Sequence, residues 1–115
     1  MGFDYDGRRF RAVANSGSGE VGGETVFVYR QAGDLVWATY SGGAIRLGHL
    51  VALMSENGEL EMRYHHVNAA GELQTGVCHS TPTVLPDGRY QLAETWRWTS
   101  GDLSAGTSLL VEILS

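Results

Sequence analysis

One stretch limits the folds open to this chain more than any other, because residues 89–99 carry a bulky side chain at every second position. These positions hold Tyr90, Leu92, Glu94, Trp96 and Trp98. Successive side chains of a β-strand point to opposite faces, so the alternation predicts a strand with one packed face. A slip of one residue would expose both tryptophans, which fixes the register. Glu94 is the one carboxylate predicted on that packed face.

Glycine-rich turns divide the rest of the sequence at short intervals. The chain contains 16 glycines, and some follow asparagine or aspartate, as in Asn57-Gly58 and Asp87-Gly88. Such dipeptides accept the positive φ angles of tight hairpins, so neighbouring strands are predicted to pair antiparallel. Period-two runs between the turns predict about eight strands. They cover residues 9–15, 25–31, 35–40, 44–54, 60–67, 73–80, 89–99 and 107–114.

The edges of the sheet favour closure. An open antiparallel sheet of this size would leave two unpaired edges, whereas a closed barrel leaves none. The right-handed twist of strands favours such curling. The sequence therefore predicts an all-β, up-and-down barrel of the calycin or lipocalin type, formed by one domain over residues 1–115. A sandwich of two sheets is the alternative.

Residues 47–54 fit two periods. Helical spacing is met by Leu47, Leu50, Val51 and Met54. A period of two is met by Ile45, Leu47, Val51 and Leu53. Gly48 would weaken a helix by about 1 kcal/mol, and all neighbouring segments resemble strands, so a strand is predicted.

Composition excludes several classes of protein. The single cysteine, Cys78, rules out an intrachain disulfide and a four-cysteine zinc site, which predicts a reducing, cytoplasmic location. The net charge of -5 and the absence of lysine give no basic stripe for nucleic acid. The acidic N-terminus and the lack of a long apolar run predict a soluble protein with no signal peptide and no membrane span.

Several polar residues occupy strand positions that alternate in step with the apolar residues, so they are predicted to lie on packed faces. They are Tyr40, His49, Tyr64, His66, Thr75, His79 and Glu94. The interior of an eight-stranded barrel holds side chains or one small ligand, so these groups either satisfy one another or bind a guest.

Glu94 is the strongest candidate for chemistry. Burial would raise its pKa towards neutrality, as a general acid or base requires, with His66 as its candidate partner. The structural alternative is an ion pair with an inward Arg11, or a hydrogen bond to Tyr64 or a histidine. Trp96 and Trp98 could form a wall on which a flat ligand stacks, or they could simply be part of the hydrophobic core.

Metal binding is not predicted. His65 and His66 are adjacent and point to opposite faces of a strand, and so do Cys78 and His79. Only His66 with His79, joined by His49 or Glu94, could form an inward site, and no zinc spacing is present. The segments 17–23 and 100–108 could form anion nests, although a flexible rim is the preferred interpretation.

The sequence also resembles a known family over nearly its whole length. The similar segments are 15–16 with 19–21, then 25–31, 40–43, 48–50, 62–65, 76–81, 87–89 and 94–102. The family comprises short bacterial proteins that often carry the genome label N-acetylglutamate synthase, which implies acetyl transfer from acetyl-CoA to glutamate. The acetyltransferase fold requires a Gln/Arg-x-x-Gly-x-Gly/Ala turn that leads into a helix, and no such turn is present here. The resemblance assigns no catalytic residue.

Three functions remain open at this point. The first is a barrel that binds an unidentified small, partly apolar molecule without a further cofactor. Its predicted contacts are Phe27, His49, Tyr64, His66, His79, Glu94, Trp96 and Trp98. The second is an enzyme that uses Glu94 and a histidine, or the labelled acetyl transfer. The third is a structural protein or homodimer with an exposed apolar face, for instance Val26 and Val28 beside Val36.

Overall fold

The chain forms a closed barrel of eight antiparallel strands in the computed structural model, which describes residues 2–16 and 19–114. The strands are β1 (Arg9–Asn15), β2 (Val26–Ala32), β3 (Leu35–Gly42), β4 (Ile45–Met54), β5 (Leu60–Asn68), β6 (Leu73–Val84), β7 (Tyr90–Trp98) and β8 (Ala105–Glu112). Each strand pairs with the next along the chain, and β8 pairs with β1. The predicted up-and-down barrel is confirmed, and the sandwich alternative is wrong.

Strand boundaries differ from the predicted ones by a few residues. β6 continues past Ser80 to Val84 and passes through Pro82, whose side chain is buried. β8 begins at Ala105 and ends at Glu112, two residues earlier than predicted at each end. Residues 47–54 lie within β4, which confirms the strand prediction. Within the described residues there is no helix that could span a membrane.

The inward face of β4 differs from the period-two pattern. A register shift occurs between Ile45 and Leu47, because Ile45 pairs with Asn68 and Leu47 pairs with Val67. The extra residue reverses the faces beyond it, as a β-bulge does. Gly48, Leu50 and Ala52 are therefore buried, whereas Leu47, Val51 and Leu53 are exposed. The face predicted from Leu47, Val51 and Leu53 is wrong.

One end of the barrel is filled by the segment that precedes β1; we name it the closed end. Tyr5 is fully buried there, and its hydroxyl donates to the Gly58 carbonyl over 2.7 Å. Phe3 packs edge-on against Tyr90, with ring centroids 5.1 Å apart, and fills the space beside Gly58. These side chains fill this end of the barrel and remove apolar area from water.

The buried carboxylate of the closed end is fully paired. Glu112 accepts from Arg8 Nη1 through both of its oxygens, at 2.9 and 3.0 Å, and from the Tyr90 N–H at 3.0 Å. The Arg8 guanidinium also lies 3.8 Å above the Tyr90 ring. A buried charge needs such a set of partners.

Candidate functional site

A cavity of about 50 Å³ lies towards the opposite end of the barrel, which we name the open end. At this end β1, β3, β5 and β7 finish and the other strands begin. Six of the eight residues predicted to contact a ligand line the cavity: Phe27, Tyr64, His66, Glu94, Trp96 and Trp98. Further lining residues include Asn15, Glu20, Tyr40, Leu50, Cys78 and Ser108.

Three inward glycines shape the cavity wall. Gly48 lies directly across the ladder from Tyr40, Gly76 from Tyr64, and Gly106 from Trp96. A Cβ at any of the three would lie under 3.0 Å from the ring opposite.

Because no Cβ intervenes, each of the three rings comes close to the backbone of the neighbouring strand. Such glycine–aromatic cross-strand pairs are known to stabilise sheets. The ring of Phe27 stacks on that of Tyr40 at 4.7 Å, and Trp96 lies 5.8 Å from Trp98. The aromatic rings therefore form a wall around space instead of filling it.

Glu94 faces this space with few partners. Glu94 is 8% exposed, and Ser108 Oγ donates to Glu94 Oε1 over 3.2 Å. Burial raises the pKa of Glu94 to about 7, partly offset by the hydroxyls of Ser80 and Ser108. The expected ion pair with Arg11 is wrong, because β1 turns Phe10 and Ala12 inward and leaves Arg11 exposed.

Two hydroxyl groups deep in the barrel lack a well-aligned hydrogen-bond partner among the described residues. They belong to Ser80 and Tyr29. Ser80 lies directly across the ladder from Glu94 and is near enough to lower its pKa, although the contact is poorly aligned. Burial is the main cause of the raised pKa of Tyr29, and the negative charge of Glu94 adds to it. Buried polar groups usually find a partner, so these hydroxyls mark an incompletely satisfied region.

A second polar cluster lies at the rim of the cavity. His66 Nε2 is 2.8 Å from Glu20 Oε1, and Asn68 Nδ2 donates to Glu20 Oε2 over 2.9 Å. The other ring nitrogen of His66 lies 3.0 Å from the Tyr40 hydroxyl. With Nε2–H donating to Glu20, Nδ1 accepts from Tyr40. The cluster fixes both the His66 ring and the Tyr40 ring.

The remaining sequence candidates point out of the barrel. Residues opposite each other in an antiparallel pair share one face, and His49 lies opposite His65 on the outer face. His79 lies opposite Glu61 and contacts the carboxylates of Glu61 and Glu59 at 3.0 and 2.7 Å. These carboxylates raise the pKa of His79. The inward placement predicted for His49 and His79 is therefore wrong.

Thr75 also lies on the outer face, where its hydroxyl is 2.7 Å from that of Thr99. Its predicted inward placement is wrong for the same reason, since Gly76, Cys78 and Ser80 are the buried residues of β6. No cluster of metal-binding side chains occurs in the part of the chain that the structure describes.

The geometry gives little support to acid–base catalysis. Among the described residues, Glu94 makes no hydrogen bond to a histidine, because His66 is held by Glu20 and Tyr40. Burial raises the pKa of the Cys78 thiol, which leaves it protonated and poorly nucleophilic.

Sequence reasoning missed Glu20, which reaches the site from the β1–β2 connection. No local pattern predicts the path of such a loop. The possible nest over 17–23 includes residues 17 and 18, which lie outside the described residues. A detectable signal was present in the glycines, since three of them stand at inward positions opposite aromatic residues once the register is known.

Comparison with known proteins adds one finding. The model of a family described as "Avidin-like protein" matches residues 3–113. No curated protein and no solved structure gives a significant match. The barrel agrees with the calycin-type architecture of that family, and the N-acetylglutamate synthase label finds no support. Because the match covers almost the whole length, the chain belongs to the avidin-like protein family.

Proposed function

We propose that this protein binds a small molecule in the cavity at the open end of its barrel. The observation that carries the proposal is the cavity itself, whose lining includes the three rings of the glycine–aromatic pairs, Tyr40, Tyr64 and Trp96. Ligand sites are typically apolar and aromatic, with a few convergent polar groups. Glu94, at the base of this cavity, has the perturbed pKa that often marks such a site.

The size of the cavity limits its guest. About 50 Å³ accommodates about four water molecules, or a guest of a similar number of heavy atoms. Members of the avidin-like family typically bind small ligands such as biotin. Biotin is much larger than this space, so its entry requires Glu20 to leave His66 and the aromatic rings to move apart.

The lining residues take different roles in this proposal. The rings of Phe27, Tyr64, Trp96 and Trp98 supply apolar contact area. Glu94 fixes the polar part of the guest at the base of the cavity. His66, held between Glu20 and Tyr40, forms the polar rim through which the guest enters.

Native mass spectrometry of the freshly purified protein tests the proposal. We expect a reproducible extra mass that is lost on denaturation, or one that appears when biotin or another small ligand is added. Leu50→Phe, which places a larger side chain in the cavity, should abolish the adduct. Val51→Phe, on the exposed face of the same strand, should retain it. An adduct that survives Leu50→Phe in a folded barrel would contradict binding in the cavity.

A homodimer is a second candidate, favoured by an apolar patch on the outside of β3 and β4. Leu35 lies opposite Leu53, and Trp37 lies opposite Val51. All four side chains are exposed, by 38% to 60%. The exposed face predicted from Val26, Val28 and Val36 is partly wrong, because Val36 is fully buried. The same mass spectra report the number of subunits, and Trp37→Glu should convert a dimer to a monomer.

A further inference from the structure

The charge balance inside the barrel is unusual because, within residues 2–16 and 19–114, the buried Glu94 has no cationic partner. The chain has eight arginines and no lysine. None of these arginines is buried, and none lines the cavity. Arg8, which does reach into the barrel, is occupied by Glu112 at the closed end. A buried carboxylate normally has a paired charge or a full set of donors.

The surroundings of Glu94 add a second feature. Tyr64, Trp96 and Trp98 line the same cavity, and the faces of aromatic rings carry negative electrostatic potential. Organic cations bind over such faces, with a further gain when they are removed from water. Glu20 adds another carboxylate at the rim, so an anion would find little to attract it.

A third feature is the missing hydrogen-bond donors. From the described part of the chain Glu94 accepts one aligned hydrogen bond, from Ser108, although a carboxylate offers about four acceptor sites. Ser80, across the ladder from Glu94, has no aligned partner among the described residues and does not line the cavity. A guest with several N–H donors would use the acceptor sites of Glu94 that remain.

From these three features we infer that the guest is a small organic cation, a protonated amine whose ammonium group binds Glu94 inside the aromatic wall. This inference rests on the proposed binding function and specifies its ligand class. Quaternary ammonium compounds fit less well, because they have no N–H group to donate to the carboxylate.

Binding should depend on pH through Glu94. The titratable groups that contribute to the field at Glu94 are Tyr5, Tyr29, Tyr40, Tyr64 and Cys78. Burial raises the pKa of each, so they stay uncharged near neutrality. His66 and Glu20 line the same cavity, and β1, β4 and β8 present no titratable side chain to it. Ionisation of Glu94 near pH 7 therefore strengthens amine binding as the pH rises from 6 to 8.

A shape-matched series tests the charge of the guest directly: n-butylamine, 1-butanol and butyrate. Tryptophan fluorescence reports binding, in a Trp37→Phe background that leaves only the two cavity tryptophans. At pH 8 we expect the amine to bind at least about tenfold more tightly than the alcohol, with butyrate weakest. Glu94→Gln should reduce this ratio to about one.

Glu56→Gln is the matched control, because it removes one carboxylate from an exposed turn at the closed end. It should leave the tenfold ratio unchanged. Equal or tighter binding of the alcohol or of butyrate would overturn the inference, and so would a ratio that Glu94→Gln does not change. If no amine binds but mass spectrometry shows an adduct that Leu50→Phe abolishes, the guest is not a cation, and the proposal of small-molecule binding stands. If neither amine binding nor an adduct is found, both the cation inference and the binding proposal are overturned.

Discussion

The two ends of the barrel treat a buried carboxylate in opposite ways. At the closed end, Glu112 accepts three hydrogen bonds, two from Arg8 and one from the Tyr90 backbone. At the open end, Glu94 accepts one aligned hydrogen bond from the residues that the structure describes, and it comes from Ser108. The first arrangement satisfies the group within the fold. The second leaves hydrogen-bonding capacity in a cavity, where a guest can use it.

The aromatic residues show the same contrast. Tyr5 and Phe10 at the closed end are fully buried and packed against Tyr29, with ring centroids 5.8 and 5.1 Å away. At the open end the inward glycines let the rings lie along the wall. The same residue type therefore fills space at one end and encloses it at the other.

The largest expected effect concerns the pH dependence of stability. The pKa of Glu94 is raised from 4.5 to about 7 in the folded protein. The folded state therefore holds a proton that the unfolded state loses between these values, so the free energy of unfolding falls as pH rises from 4.5 to 7. Relative to Glu94→Gln, the wild type should lose on the order of 3 kcal/mol across this window. Urea unfolding of both proteins at pH 4.5 and 8 measures it, and parallel pH profiles would contradict the account.

The closed end should respond to loss of its cation. Arg8→Met leaves Glu112 buried without its charged partner, and we expect a loss of about 2–3 kcal/mol at pH 8, since Arg8 is partly exposed. Arg11→Met, on the exposed face of β1, is the control and should change stability by less than about 0.5 kcal/mol. If Arg8→Met behaved like the control, the contrast between the two carboxylates would fail.

Gly76→Ala tests the wall of the open end. The added methyl group would contact both the Tyr64 ring and the Arg97 carbonyl, and the carbonyl cannot move aside easily. We expect a loss of about 1–3 kcal/mol, with weaker guest binding as Tyr64 is pushed into the cavity. Gly22→Ala, with nothing near its Cβ, should be nearly neutral. Thermal unfolding and the fluorescence titration read out both effects, and unchanged binding would show that the ring position is unimportant.

The smallest effect is expected at the rim. Glu20→Ala removes the partner of the buried His66 Nε2 and one partner of Asn68, but water can take its place at the rim, so we expect a loss of about 1 kcal/mol. Because the same change widens the entrance, it should allow benzylamine, a bulkier amine than n-butylamine, to bind more tightly than in the wild type. Unchanged benzylamine affinity would mean that Glu20 does not restrict the entrance.

The sequence predicted the barrel because alternation is strong wherever one face is apolar and the other polar, as in β7. It failed in β4, where Leu47, Val51 and Leu53 make the outer face apolar too and a bulge reverses the parity. It failed in β6, where the outward Leu73 and Val77 are more apolar than the small inward residues of the strand, such as Ser80. The position of Glu20 depends on a loop path and on long-range contacts, which local patterns do not encode.

The most direct test of the central claim is a crystal structure of the protein soaked in n-butylamine at pH 8, at a resolution that shows ordered water. We expect the amine nitrogen within hydrogen-bonding distance of Glu94, with the alkyl chain of the amine between the rings of Tyr64 and Trp96. A cavity closed by those rings, with Glu94 bound only to protein groups, would contradict the claim that the open end is a binding site.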